Sequence, residues 1–344
     1  MRGTAGSHGR GVRIVYSPAG FDFELRGAVE ELRAGRWMAM RTLLARTGSS
    51  WGLRTTRSQV LGVVAAGSHV VETWLQESPK DPDARMMHAR VAVERAVRAS
   101  REQHHTAQEL EQEARQECYA AAELLPGDPV PWVALLALAR LDKRQERAEH
   151  RERAAEPMLP PGPWGLLYRV YERDRYNREA HHRMLHFLHA RADRDTGNAG
   201  SRASAIDFVR WVSSWAPAGS DLLALPLYAY VEQYRRQRAA QPSKGHLLLS
   251  RQWSHDPVAL DARSALQGWF ELTDPTTQSV LDLNHLAHAL WAGQRTSDAA
   301  RVFAALGPYF TPQPWLQVAE DPEQPEAART EFLRARDHCL AADD

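Results

Sequence analysis

The chain has 344 residues, 43% hydrophobic and 25% charged, and its 43 basic and 43 acidic side chains cancel. That balance excludes nucleic-acid or membrane binding driven by overall charge, and the composition can support a buried core. Cys118 and Cys339 are the only cysteines, a poor disulfide framework that supplies no thiolate cluster for a metal, and no apolar run reaches the roughly 18–20 residues of a membrane span. A cytoplasmic protein without a membrane segment or cofactor is expected.

Residues 1–20 are rich in Gly and Ser without periodicity and read as a flexible N-terminal tail. From Asp22 onward the spacing is helical. Leu25, Val29 and Leu32 share one helix face, Met40, Leu43 and Leu44 another, and Gly35 between them suits a left-handed helix end. Strand signals are scarce. Five Asp-Pro steps (Asp81-Pro82, Asp128-Pro129, Asp256-Pro257, Asp274-Pro275 and Asp321-Pro322) mark helix starts. Aspartate accepts from free first-turn amides, and proline has no amide to leave unpaired. Thr106 to Glu109 reads as a capping box that splits the long segment after Asp83. Clusters of Gly, Pro and Ser at 193–203, 216–220 and 241–245 divide the chain into a hairpin array at 21–195 and a second helical region at 196–344. Lys80, Lys143 and Lys244 are the only lysines, which reads as the coding bias of a GC-rich bacterial genome.

The most informative stretch is 109–164. Ala114, Cys118 and Ala121 share a helix face, Pro126 ends the helix, and Trp132 and Leu135 fill the groove of the next. Ala148, Ala155 and Pro160 repeat the positions of Ala114, Ala121 and Pro126, each displaced by 34 residues. This resembles the tetratricopeptide (TPR) repeat: a large residue and Leu on one helix, two small residues on its partner, then proline. Glu152 stands where that pattern favours an aromatic. A looser echo joins Leu32-Arg-Ala-Gly35 to Leu290-Trp-Ala-Gly293, with Leu286, Ala287, Ala299 and Phe303 around the second copy. The resemblance implies an all-α chain of antiparallel helical hairpins stacked as an α-solenoid in two halves. It also implies a scaffold or adaptor that binds a peptide or partner protein.

Three constellations compete for a site. From Leu32 to Val71 there is no acid, while Arg33, Arg36, Arg41, Arg46, Arg54 and Arg57 accumulate around Trp37 and Trp51. Guanidinium and indole groups together suit an acidic peptide or, as a second reading, nucleic acid. The bland reading is a helical surface whose arginines pair with acids elsewhere. The Glu-x-x-His pairs Glu102/His105 and Glu179/His182, with His186, are partial ingredients of a carboxylate-bridged metal site, and so of a metal-dependent helical enzyme. Against that, His181, Met184, Leu185 and Leu188 define the apolar stripe, leaving His182, His186 and His189 half-exposed on its flank. The segment from Glu320 is acidic and could fold back onto the basic run. No P-loop, nucleophile elbow, His-Glu-x-x-His or dinucleotide fingerprint occurs.

Overall fold

The structure, a computed structural model, describes residues 14–142, 144–194, 199–240, 251–324 and 326–341. Within them the chain is all-helical, with two isolated β-bridges and no strand. The first half contains α1 (Phe23–Arg33), α2 (Met38–Thr47), α3 (Trp51–Ala65), α4 (Val70–Glu77), α5 (Pro82–Arg101), α6 (Ala107–Leu124), α7 (Val130–Ala139) and α8 (Trp164–Tyr171). The second contains α9 (Arg178–Arg194), α10 (Ala199–Trp215), α11 (Leu225–Ala240), α12 (Asp256–Gly268), α13 (Val280–Ala292), α14 (Thr296–Leu306), α15 (Trp315–Val318) and α16 (Ala327–Ala341). No described helix is long and apolar enough to cross a membrane.

Sequence neighbours pack as pairs: α1 with α2, α5 with α6, α9 with α10 and α13 with α14. Local chemistry sets the breaks. Asp81 caps α5 by accepting from the amides of Asp83 and Ala84, and Asp128 accepts from Val130 at the start of α7. Asp274 caps only a single 3-10 turn, and no α-helix follows Asp321 until Ala327. Thr106 does precede α6, but its hydroxyl pairs with His104 Nδ1 instead of capping an amide, so the capping box is not formed.

The two Leu-x-Ala-Gly ends work differently. Gly35 has φ +80°, the left-handed geometry expected of it. Gly293 is at φ −81°, and Gln294 takes the left-handed step at +63°. Glycine is needed there because a Cβ would sit 3.0 Å from the Ala289 carbonyl and 3.1 Å from that of Trp253. Gly35→Ala, with open space around it but a strained φ, is expected to cost about 1 kcal/mol in a urea-unfolding comparison.

Three apolar clusters make up the core. They run from Ala19 to Val130, from Ala89 to Ala229 and from Leu223 to Cys339, and the ranges overlap. The middle cluster continues through α9 and α10, so the core does not divide at residue 195; residues 195–198 and 241–250 themselves lie outside the described residues. α7 shows why this region is central. Its sequence VPWVALLALA is apolar on every face, and every residue but Trp132 is buried.

Two expectations are corrected here. Residues 14–20 are not a free tail, although 1–13 lie outside the described residues. Val15 donates to Pro308 O at 2.7 Å, Phe310 donates to Val15 O at 3.0 Å, and Phe21 meets Tyr309 edge-on, so residues 15–21 are fastened to the last third of the chain. The second repeat copy is also not a helix. Ala148 lies in a 3-10 turn, Ala155 is exposed, and the stretch is held by Asp142, which accepts from the amides of Glu146 and Arg147 and pairs with His150 at 2.8 Å. Nearly every residue from Arg144 to Glu156 is charged or alanine, so no apolar stripe exists to dock a helix. Lys143 lies outside the described residues.

Candidate functional site

The arginine run is divided between interior and surface. Arg54 is buried, with Nε 2.8 Å from Asp128 and its terminal nitrogen 2.5 Å from Asp83. Arg57 is buried against Asp22, Glu24 and the Thr47 hydroxyl, at 2.8, 2.9 and 2.8 Å. Neither can meet a partner. Arg36, Arg41 and Arg46 are exposed but pair with Glu31, Asp81 and Glu24. Trp37 stacks on Trp74 with centroids 5.6 Å apart, and Trp51 lies half-buried near Gly127. The described part of the acidic segment packs elsewhere. α16 packs in the third cluster, and the carbonyls of Ala319 and Glu320 accept from Arg238.

The start of α9 gathers the fold around three consecutive residues. Asn177 Nδ2 donates to Thr55 on α3 at 3.0 Å. Arg178 reaches Asp282 on α13, its Nε 2.6 Å from the carboxylate, and the Tyr228 hydroxyl on α11 donates to the same carboxylate. Glu179 takes both terminal nitrogens of Arg90 on α5 and, at 2.7 Å, one of Arg183. Burial pushes the Glu179 carboxyl up, and Arg90 and Arg183 more than reverse it, leaving it below the usual range.

That pairing removes the metal reading. Glu179 is spent on two guanidiniums, Glu102 and His105 are exposed between α5 and α6, and His182 is buried beneath Tyr228 with ring centroids 4.4 Å apart. No group of three His, Cys, Asp or Glu among the described residues is placed to hold a metal ion. The flank reading of the histidines is corrected too. His182 is buried, His189 is mostly covered, and only His186 is exposed, because α9 is packed by α3, α7, α10 and α11 and has more than one covered side.

What these elements leave between them is a cleft of about 480 Å³ walled by the C-terminal ends of α5 and α7, by α9, α11 and α13, and by Gln313 and Gln317. Its chemistry comes from Arg140, His186, His189, Tyr228, Glu232 and His285. Glu232 is held by Arg235 and Arg236 at 2.6 and 2.8 Å; burial pushes its carboxyl up, but these guanidiniums bring it down to about 2. Both ring nitrogens of His189 are buried without a hydrogen-bond partner. His285 is 2% exposed, its Nδ1 is 2.9 Å from the Leu281 carbonyl, and its ring stacks on Tyr228 at 3.6 Å. An Nδ1–H committed to that carbonyl leaves Nε2 with a lone pair. The imidazoles are held neutral. Burial, then the backbone carbonyl opposing it, leaves His285 at about 4, and His186 is lowered by the surrounding cleft wall and then by Arg183 and Arg140.

Arg140 is the outlier. Burial first, then Arg183, lowers its affinity for its proton, and its guanidinium makes no ion pair or hydrogen bond with any described residue. The sequence holds one signal for this site that periodicity passes over. His285, which lines the cleft, and Asp282, which holds Tyr228 there, interrupt an otherwise apolar helix and are both buried, and buried polar groups are the informative exceptions in a core. The chain matches no protein-family model, and no curated protein or solved structure is significantly similar to it.

Proposed function

We propose that the chain is a helical interaction module, TPR-like in its hairpins, that takes up a segment of a partner protein in the cleft between α5, α7, α9, α11 and α13. One observation carries this reading. Arg54, Arg57, Arg90 and Arg115 each face a carboxylate inside the fold, whereas Arg140 opens on the cleft without one. Folding gains little from an unpaired, half-buried guanidinium, and a bound partner supplies what is missing. The pairing of the exposed arginines around Trp37 makes that surface the weaker contact.

The test is site-specific photocrosslinking in cells of the source organism, with a benzophenone side chain replacing Gln103 at the cleft rim or Leu260 on the exposed face of α12. A discrete adduct from the cleft position, absent from Leu260 and lost when Arg140→Glu is added, is the expected result. No adduct, or equal adducts from both positions, overturns the reading.

A further inference from the structure

We infer that the group received in the cleft is an anion, a carboxylate or phosphate, seated on the Arg140 guanidinium beside His186 and His189, with a hydroxyl or N–H of the same ligand donating to Nε2 of His285. The inference rests on the cleft being the recognition site and adds the chemistry of what enters it.

The charge inventory gives the sign. The charges acting on Arg140 are Arg183, Glu94 and Arg101. Glu94 lies 3.6 Å from Arg183, which also holds Glu179, and Arg101 has only an exposed contact to Glu102 at 3.7 Å. Glu232, the one acid lining the cleft among the described residues, is already doubly paired with Arg235 and Arg236. The lining therefore carries cations in excess of its free carboxylates. A metal ion or ammonium group would meet that field unfavourably, and an anion would meet it favourably.

The geometry adds direction. Guanidinium offers a planar fork that matches two oxygens of a carboxylate or phosphate. The exposed ring of His186 lines the cleft with it and can present an N–H to the anion, and His189, one helical turn further along α9, lines the same cleft with both ring nitrogens unpaired. His285 differs, because its Nδ1 is committed to Leu281 and its ring is clamped by Tyr228, whose hydroxyl is spent on Asp282. What it presents is an acceptor, which calls for a donor on the ligand. Val97, Leu141 and Leu185 line the same cleft and suit a short carbon skeleton between the two polar ends. The size fits a small hydroxy acid anion, or an acidic side chain with its backbone amide.

The experiment follows histidine ring resonances of the full chain, labelled with 15N-histidine, during titration with inorganic phosphate, with succinate, and with propylammonium as the cationic control. Saturable shifts of His186, His189 and His285 with phosphate or succinate are expected, with His69 and His255, both exposed elsewhere, unmoved and propylammonium inactive. The tighter of the two anions identifies the oxyanion class. Arg140→Gln is expected to weaken binding about ten-fold or more, as loss of a charge-assisted pair should. His186→Glu, at an exposed position beside Arg140, is expected to do the same by placing a carboxylate in the cleft, and it carries the test if Arg140→Gln folds poorly. Absence of saturation, equal shifts at every histidine, or affinity unchanged in both variants overturns the inference. Anion binding without a crosslinked partner leaves the inference standing and removes the partner-binding reading; a specific crosslink without anion binding does the reverse.

Discussion

Glu179→Ala is expected to destabilise the protein by about 3–5 kcal/mol, because it strands a buried cation. Arg90 is 1% exposed, and its guanidinium is held by Glu179 with weaker contacts to the Thr55 carbonyl and Ser58 hydroxyl at 3.3 and 3.5 Å. It cannot turn to solvent, since α3 closes over it; a Cβ on Gly62 would lie 3.3 Å from Arg90 Cβ. Arg183, which shares the carboxylate, is less enclosed and keeps a second acid in Glu94. A loss of that size is a large fraction of the 5–15 kcal/mol typical of a folded domain. Paired replacement separates this account from a ligand or metal role. Glu179→Leu with Arg90→Met removes both charges and is expected to recover most of the loss, giving a large coupling energy in a double-mutant cycle of urea midpoints. Additive losses would show that the two side chains do not act as a pair.

Helix content was legible because it depends on local chemistry. Asp81, Asp128 and Gly35 act on amides and dihedrals within a few residues, and those assignments match the structure. The arginines from Arg33 to Arg57 show what local reading cannot supply. No acid lies between Leu32 and Val71, yet Arg54 is neutralised by Asp128, a partner 74 residues away. A charge run is exposed or paired according to tertiary contacts that spacing does not encode. The second repeat copy is not helical for a related reason: alanines at a fixed period mark a helix only where an apolar stripe accompanies them. Ala114, Cys118 and Ala121 have that stripe and are buried, whereas Ala148 and Ala155 lie among Arg and Glu and are exposed. On α9 the stripe of His181, Met184, Leu185 and Leu188 is buried as its periodicity requires. His182 is buried too, because Tyr228 from α11 covers a second face that one amphipathic stripe does not report.

Those buried imidazoles are expected to make the protein acid-labile above the range in which carboxylates titrate, with stability falling steeply between about pH 6.5 and 4.5. His181 is enclosed; its Nδ1 lies 2.8 Å from the Asn177 carbonyl and its Nε2 3.0 Å from the Tyr171 hydroxyl. Burial, only partly opposed by the Asn177 carbonyl, pushes it down to about 4. His285 reaches the same value for the same reason, and burial brings His189 to about 4 despite Glu232. His182 is lowered further by burial and then by Arg178. Because the folded values lie below the unfolded value of about 6.5, the unfolded chain binds more protons between the two. The contribution is therefore complete above about pH 6.5 and is lost as pH falls toward 4. By pH 5 the loss is about 2 kcal/mol for each of His181 and His285. Asp221 works in the opposite sense. Burial, against the pull of Arg178 and with the push of Asp282 and Asp174, raises it to about 7, so the fold retains a proton there that the unfolded chain releases. One such group offsets only part of four imidazoles. His181→Phe keeps an aromatic ring beside Tyr171, Phe208 and Trp215 and removes one titrating site. Urea-unfolding free energies at pH 7 and pH 5 are expected to differ by about 2 kcal/mol less in this variant than in the parent chain. An unchanged difference would mean that His181 is not held neutral by its burial.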